Sequence, residues 1–173
     1  MSRVEAAIES GKAIPGAIVR IRDGAHAAIV VAAFLAPPVI RIALALPFLR
    51  SGLTRWDGFL SLSAGTVYLF EEQFRLHIFG GLYPLPAPDQ TAFLVGVAEL
   101  VLPTLLILGL ATRLAALGLL IMTGVIQLVY PDGWSNFHLY WAALALGVLG
   151  FGPGVLSADY LIGSWTRASP RPR

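Results

Sequence analysis

Few side chains in this sequence could do chemistry, and four of them fall at similar depths in apolar segments. They are Arg50, Glu99, Gln127 and His138. An ionisable side chain inside hydrocarbon costs about 2.5–3.5 kcal/mol on insertion scales, so Glu99 requires a partner or a function. At about 1.5 Å of rise per helical residue, Glu99 and Gln127 lie at one level of adjacent antiparallel helices. We therefore predict that the four residues surround one polar pocket in the outer half of a membrane.

Each of these residues also has a purely structural interpretation. Glu99 and Arg50 could form a buried ion pair that fixes helix register. Gln127 could hydrogen-bond across helices, and His138 could belong to an interfacial aromatic belt. A metal site is not expected, because there is no cysteine and the three histidines lack HxxxH spacing. No phosphate-binding loop, dinucleotide fingerprint or nucleophile motif is present, so we do not expect an autonomous enzyme.

The composition indicates that the elements holding these residues lie in a membrane. Of the 173 residues, 57% are hydrophobic and 13% are charged, whereas about a quarter of an ordinary soluble domain is charged. This excludes a disordered, collagen-like or highly charged nucleic-acid-binding protein. The formal net charge of +2 suits an anionic lipid surface better than nucleic acid.

Apolar stretches long enough to cross a bilayer core of about 30 Å predict an all-α integral membrane protein with a four-helix bundle. The predicted spans are residues 38–53, 91–110, 114–130 and 137–151. Two alternatives stay open for residues 27–35, which precede the first span. They form either a separate interfacial helix or the start of one long helix with the span.

The connection between the first two spans is long and has a pattern of its own. Residues 58–74 predict an amphipathic helix on the outer surface, with Val67, Phe70 and Phe74 on its apolar face. Its polar end, Glu71, Glu72 and Gln73, is expected to cover the pocket. Residues 80–90 are rich in glycine and proline and predict an extended cap.

The distribution of basic residues predicts that both termini are cytoplasmic, because positive charge accumulates on that side. Arginine and lysine cluster in the N-terminal segment, in the turn after the second span and in the tail: Arg3, Lys12, Arg20, Arg22, Arg113, Arg167, Arg171 and Arg173. On the other side, Arg55 and Arg75 are diluted by acidic residues. A cleaved signal peptide is not expected, since no small-residue cleavage site follows a compact apolar run.

Three stretches in this order, residues 41–52, Glu99 with residues 108–117, and residues 152–159, resemble the DoxX family of small bacterial inner-membrane proteins. The resemblance implies a four-helix membrane domain over residues 38–163. The N-terminal extension is then residues 1–37 and the basic cytoplasmic tail is residues 164–173. Four residues match family positions and are expected to be structural: Arg41, Arg113, Ser157 and Asp159.

The resemblance implies an accessory role, because one family member is the membrane subunit of a thiosulfate:quinone oxidoreductase and others resemble scaffolds of oxidative-stress complexes. One hypothesis is that the pocket binds a quinone, whose carbonyls need hydrogen-bond donors and whose tail needs an apolar cleft. The alternative is a non-enzymatic anchor or assembly protein, with a small-solute carrier ranked third. The expected partners are the lipid bilayer and either another protein or a second copy of the chain, but not nucleic acid.

Overall fold

The computed structural model describes residues 16–168, with side-chain placement for residues 23–166. The basic residues at the two termini, on which the predicted orientation depends, lie outside the described side chains. The chain divides into two compact units, Met1–Ala36 and Pro37–Arg173. In the first unit the described residues are helical, and the side chains of residues 23–36 are exposed.

The longest helix, α1, spans Gly16–Leu53 and includes Pro37, Pro38 and Pro47. Residues 27–35 and the predicted first span therefore belong to one helix. The other helices of the described chain are α2 (Ala64–Tyr68), α3 (Pro88–Leu108), α4 (Thr112–Val129), α5 (Leu139–Phe151) and α6 (Ala158–Ala168). The second and third predicted spans correspond to α3 and α4, whose ends differ from the predicted ends by at most three residues.

Within the described residues, three helical segments are long and apolar enough to cross a membrane: Asp23–Leu53, Pro88–Leu108 and Thr112–Val129. The predicted fourth span corresponds to α5, which has only 13 residues. A π-helical turn, Trp134–His138, precedes α5. A 3-10 turn, Pro131–Gly133, connects that turn to the end of α4.

The described chain is not entirely helical, because the connection between α1 and α3 contains two β-hairpins. Strand β1 (Trp56–Gly58) pairs with β2 (Ser61–Leu62), and β3 (Arg75–Ile78) pairs with β4 (Gly81–Pro84). The prediction of one amphipathic helix over residues 58–74 is therefore wrong at its start. Helical structure begins at Ala64 and ends with a π-helical turn, Leu69–Gln73. The predicted extended segment, residues 80–90, contributes β4 and then the first turn of α3.

Small and apolar side chains form the main core, where the last part of α1 packs with α3, α4 and α5. Its buried members are Leu44, Ala45, Phe48, Leu106, Ala115, Ala116, Leu119, Ala145 and Val148. Alanine at helix contacts lets backbones approach closely, which favours helix association where apolar burial gives little driving force. A second, smaller core of Phe70, Leu85 and Ala92 attaches the connection to α3.

Candidate functional site

A cavity of about 1540 Å³ lies in the second unit, between the end of α1, the α2 segment, α3, α4 and residues 130–141. Its walls carry several aromatic rings: Phe48, Tyr68, Phe70, Phe74, Tyr130, Phe137 and Trp141. Its charged and titratable lining side chains include Arg55, Glu99 and His138. Pockets for small ligands typically measure about 300–1,000 Å³, so this cavity has room for a molecule with a substantial apolar part.

Glu99 lies at the cavity wall in a bidentate ion pair with Arg55. The Nε of Arg55 donates to Oε2 of Glu99, and its Nη2 donates to Oε1 at 2.9 Å. Ser51 Oγ donates to the same Oε1 at 3.3 Å. The Glu99 side chain is only 2% exposed, and a two-point contact between guanidinium and carboxylate is the strong form of this interaction. The buried carboxylate is thus neutralised within the protein.

Arg55 is positioned by the β1–β2 hairpin that follows α1. Its backbone carbonyl accepts hydrogen bonds from Ser63 N at 2.9 Å and from Thr66 Oγ1 at 3.2 Å. The guanidinium carbon also lies 5.2 Å from the centre of the Phe70 ring, over its face, which is within cation–π distance. Contacts on both its backbone and its side chain therefore hold Arg55 toward Glu99.

Gly52 allows α1 to approach the backbone of α3 at this point. A Cβ atom on Gly52 would lie 2.9 Å from the carbonyl carbon and oxygen of Glu99. These are backbone atoms and cannot move aside as the end of a flexible side chain can. Any side chain at residue 52 would therefore push the two helices apart where the ion pair forms.

The structural alternative in which Glu99 pairs with Arg50 is wrong, because Arg55 is the partner. Arg50 is exposed in the last turn of α1 and is not among the residues that line the cavity. The helix ends at Leu53, and Thr54 N bonds back to Ser51 O at 3.1 Å. This turn brings Arg55 over the helix end, a reversal that counting positions along a continuous helix does not anticipate.

His138 is buried at the cavity wall and held by Gln127 on α4. Gln127 Nε2 donates to Pro131 O at 2.9 Å, while its Oε1 lies 2.6 Å from His138 Nδ1. An amide oxygen only accepts, so this contact assigns the proton to Nδ1, and when the ring is neutral its Nε2 is then an acceptor. Gly133 makes room for the ring, since a Cβ there would lie 2.8 Å from Nε2.

Gln127 is not itself among the lining residues. It affects the cavity only by holding the His138 ring. The segment predicted to cover the pocket also differs in detail. Gln73 lines the cavity together with residues 68–70, but the acidic pair Glu71 and Glu72 is exposed and lies outside the lining. Of the three polar residues predicted to cover the pocket, only Gln73 lines it.

A second buried polar cluster joins the α3–α4 turn to the segment before α6. Arg41 is 2% exposed, and its Nη2 donates to Leu156 O at 2.5 Å. Its Nε and Nη1 have no hydrogen-bond partner among the described residues. Gly109 adopts a left-handed conformation (φ +69°) at the end of α3, and a Cβ there would lie 2.6 Å from Ser157 Cβ. Glycine at residue 109 thus meets both a backbone and a packing requirement.

Asp159 in this cluster caps the start of α4 from a distant part of the chain. Its carboxylate accepts from Ala111 N at 2.8 Å and from Thr112 N at 2.9 Å, which satisfies N–H groups that a helix start leaves unpaired. Burial alone would raise the pKa of Asp159. The hydrogen bonds from Thr112 and Ala111, with the charge of Arg41, outweigh burial and lower that pKa below its usual value.

The other two residues expected to be structural lie beside these. Ser157 Oγ donates to Gly154 O at 2.7 Å and accepts from Tyr160 N at 3.1 Å, so it stabilises the first turn of α6. Arg113 is exposed, and its guanidinium lies close to Gly152, where a Cβ would be 3.3 Å from Nη2.

Comparison with known proteins gives a family assignment. The DoxX family model matches residues 36–131, more than half of the chain. The chain belongs to the DoxX family. No curated protein and no solved structure matches it. Within this DoxX protein the matched residues contain Arg41, Arg55, Glu99 and Arg113, whereas His138 and the Ser157–Asp159 segment lie beyond the match.

The chemical capacity of the cavity in this DoxX protein follows from its lining. The Arg55–Glu99 pair offers a fixed dipole, His138 offers an acceptor nitrogen, and the aromatic walls offer flat apolar surface. The sequence pattern did not reveal Arg55, Gly52 or Gly133. The sequence feature that could have indicated these three residues is their position in the chain. Each lies next to a helix end, where another element packs closely.

Proposed function

We propose that this DoxX protein is an accessory subunit of a membrane redox or stress-response complex and binds a quinone-type molecule in its cavity. The supporting observation is that a large cavity with aromatic walls contains both the neutralised Arg55–Glu99 pair and the buried His138 ring. A flat, amphipathic ring with an apolar tail fits such a lining, because its polar atoms need few partners and its tail needs a cleft.

The protonation of His138 favours the reduced form of that molecule. With Gln127 Oε1 at Nδ1, the neutral imidazole offers an acceptor at Nε2, which pairs with a quinol hydroxyl and not with a quinone carbonyl. Trp141 lies 5.3 Å from the His138 ring and 5.1 Å from Phe48, measured between ring centres. These rings supply a surface for stacking beside the acceptor atom.

The proposal includes a fourth membrane crossing. The π-helical turn before α5 has five residues and α5 has 13, together about 27 Å at 1.5 Å per residue. That length approaches the roughly 30 Å of a bilayer core. With four crossings both termini share one side, which the basic residues make the cytoplasmic side of a bacterial inner membrane.

The proposed complex requires a protein partner, either a redox enzyme or a second copy of the chain. A non-enzymatic anchor is the second candidate function, and one observation favours it. Glu99 receives hydrogen bonds from Arg55 and Ser51, so the pair needs no ligand to be satisfied. In that case the pair serves only to hold α1 and α3 together.

Titration of the full chain in proteoliposomes with a short-chain ubiquinol analogue, kept reduced, separates the two candidates. Trp141 in the lining provides a fluorescence signal. We expect saturable quenching in the wild type. His138→Phe keeps a ring but loses the acceptor, and losing one hydrogen bond of about 0.5–1.5 kcal/mol weakens binding roughly twofold to tenfold.

Two further variants complete the experiment. Ala98→Phe adds a ring inside the cavity and should abolish saturation, whereas Tyr140→Phe changes an exposed residue outside the lining and should bind as the wild type does. Helical circular dichroism of each variant confirms folding. Equal quenching in all four proteins would indicate simple partition into lipid and would favour the anchor.

A further inference from the structure

Both hairpins between α1 and α3 carry large apolar residues at their turns. Phe59, between β1 and β2, is 96% exposed, and Phe79, between β3 and β4, is fully exposed. Leu60 and Phe79 also adopt positive φ values of 55° and 48°. The two turns thus repeat one arrangement, in which an apolar side chain occupies a left-handed position.

This arrangement has two costs, one in the backbone and one that depends on contact with water. Bulky side chains with a Cβ atom are disfavoured in the left-handed region, which hairpin turns usually fill with glycine or asparagine. An exposed phenylalanine also forgoes the free energy of removing its ring from water. The backbone cost is the same in any solvent, but the second cost disappears where the ring leaves water, so two adjacent hairpins with exposed phenylalanine rings indicate that the turns are not in contact with bulk water in the native setting.

Contacts of the first hairpin place it beside a membrane helix and not beyond its end. The Trp56 ring centre lies 5.6 Å from that of Phe93, and a Cβ on Gly96 would lie 2.7 Å from Trp56 Cζ2. These residues are five and eight positions inside the candidate span Pro88–Leu108. At 1.5 Å per residue, β1 is level with a point about 8–12 Å from the end of that helix.

The second hairpin contacts another helix closer to that helix's end. His77 Nδ1 is 3.1 Å from the carbonyl oxygen of Leu128, which is the residue before the last in the candidate span Thr112–Val129. Phe79 follows two residues later. The neighbouring strand β4 adds Leu82 and Tyr83, which are 65% and 53% exposed.

We propose that the Phe59–Leu60 and Phe79 turns insert into the lipid interface on their side of the membrane and anchor there the connection between α1 and α3, which supplies part of the cavity wall. The occupant of this surface is lipid, because the hairpins are level with apolar helix ends that lipid must surround. Tyr83 supplies the type of aromatic side chain that is enriched in this layer. This anchoring goes beyond the proposed function and does not depend on a ligand in the cavity.

Site-directed spin labelling tests the proposal directly, since the chain has no cysteine. Phe59→Cys and Phe79→Cys are labelled with a nitroxide in proteoliposomes, and collision with oxygen is compared with collision with a water-soluble nickel chelate. Glu72→Cys is the control, because this exposed polar residue lies in the π-helical turn of the same connection and does not line the cavity. We expect an oxygen-to-nickel ratio several times higher at both hairpin turns than at residue 72.

Two results would overturn the proposal. Nickel access at residues 59 and 79 equal to that at residue 72 would mean that the turns are in water. Low access to both reagents would mean that another protein or a second copy covers them. Helical circular dichroism identifies any variant that does not fold, and Phe79→Cys and Phe59→Cys sample the two hairpins independently. The result of the quinol titration has no bearing on this test, because the spin labels report on the hairpin turns and not on the cavity.

Discussion

Replacement of Glu99 by Gln should lower the free energy of unfolding by about 2–4 kcal/mol. The side chain is 2% exposed and receives two guanidinium hydrogen bonds from Arg55, each worth about 1.5–3 kcal/mol when charge-assisted. A glutamine oxygen still accepts one of them as a neutral partner, which limits the loss. The remaining cost arises because the Arg55 charge loses its counter-charge in a site largely closed to water.

Removal of the Arg55 cation should destabilise the protein more than replacement of Glu99 does. Arg55→Met leaves the Glu99 carboxylate without its cation at a position less exposed than that of Arg55, whose side chain is 13% exposed. Removing one partner of a buried pair costs about 3–5 kcal/mol. In the double variant neither charge is left unpaired, so its loss should be smaller than the sum of the single losses.

Unfolding of the detergent-solubilised protein by increasing mole fractions of sodium dodecyl sulfate, followed by far-ultraviolet circular dichroism, measures these differences. Glu71→Gln is the matched control, because Glu71 is an exposed acid and its loss should change stability by less than about 0.5 kcal/mol. If Glu99→Gln and Glu71→Gln unfold at the same mole fraction, the ion pair does not stabilise the fold and the reasoning fails.

Further predictions concern close contacts and caps. Gly52→Ala should destabilise the protein by about 1–3 kcal/mol through overpacking against the facing backbone, whereas Gly65→Ala, with nothing within 4 Å of the new atom, should not; detergent unfolding compares them. Asp159→Asn should cost about 1–3 kcal/mol at pH 7. The pKa of Asp159 is lower in the folded protein than in an unfolded chain, where an aspartate has a pKa of about 4. The stability of the wild type should therefore fall as the pH drops below about 4. The difference between wild type and Asp159→Asn should therefore narrow in acid, and a constant difference from pH 7 to pH 3 would contradict this explanation. Gln127→Leu frees the His138 ring and should weaken quinol quenching about as much as His138→Phe does; unchanged quenching would show that ring orientation is unimportant.

The helices were the predictable part of the fold. Residues 88–108 and 112–129 form helices close to the predicted spans because their apolar character is unbroken and a tight turn separates them. The hairpins were not predictable from periodicity. Strands β1 and β2 have three and two residues, too few to show alternation. The β1–β2 turn carries Leu60 and the β3–β4 turn carries Phe79 at positive-φ positions, where glycine or asparagine is the usual signal.

The candidate site was predictable where distance along a helix decided it. Glu99 and His138 line one cavity, and Gln127 contacts His138, because antiparallel helices bring equal distances from a turn to one level. The partner of Glu99 depended instead on where α1 ends and how the chain reverses. Only four residues lie between Arg50 and Arg55, and the turn at Leu53 decides which guanidinium reaches the carboxylate. Whether these residues bind a ligand stays a prediction.

The Arg55–Glu99 contact also bears on how the chain enters a membrane. Each segment leaves the ribosome in turn, and a helix carrying a bare carboxylate partitions poorly into lipid, at a cost of about 2.5–3.5 kcal/mol. The compensating guanidinium precedes Glu99 by 44 residues, so it is already synthesised when α3 emerges. Integration of α3 by the translocon should therefore depend on the preceding connection, which carries Arg55. This connection and α3 should enter the membrane together.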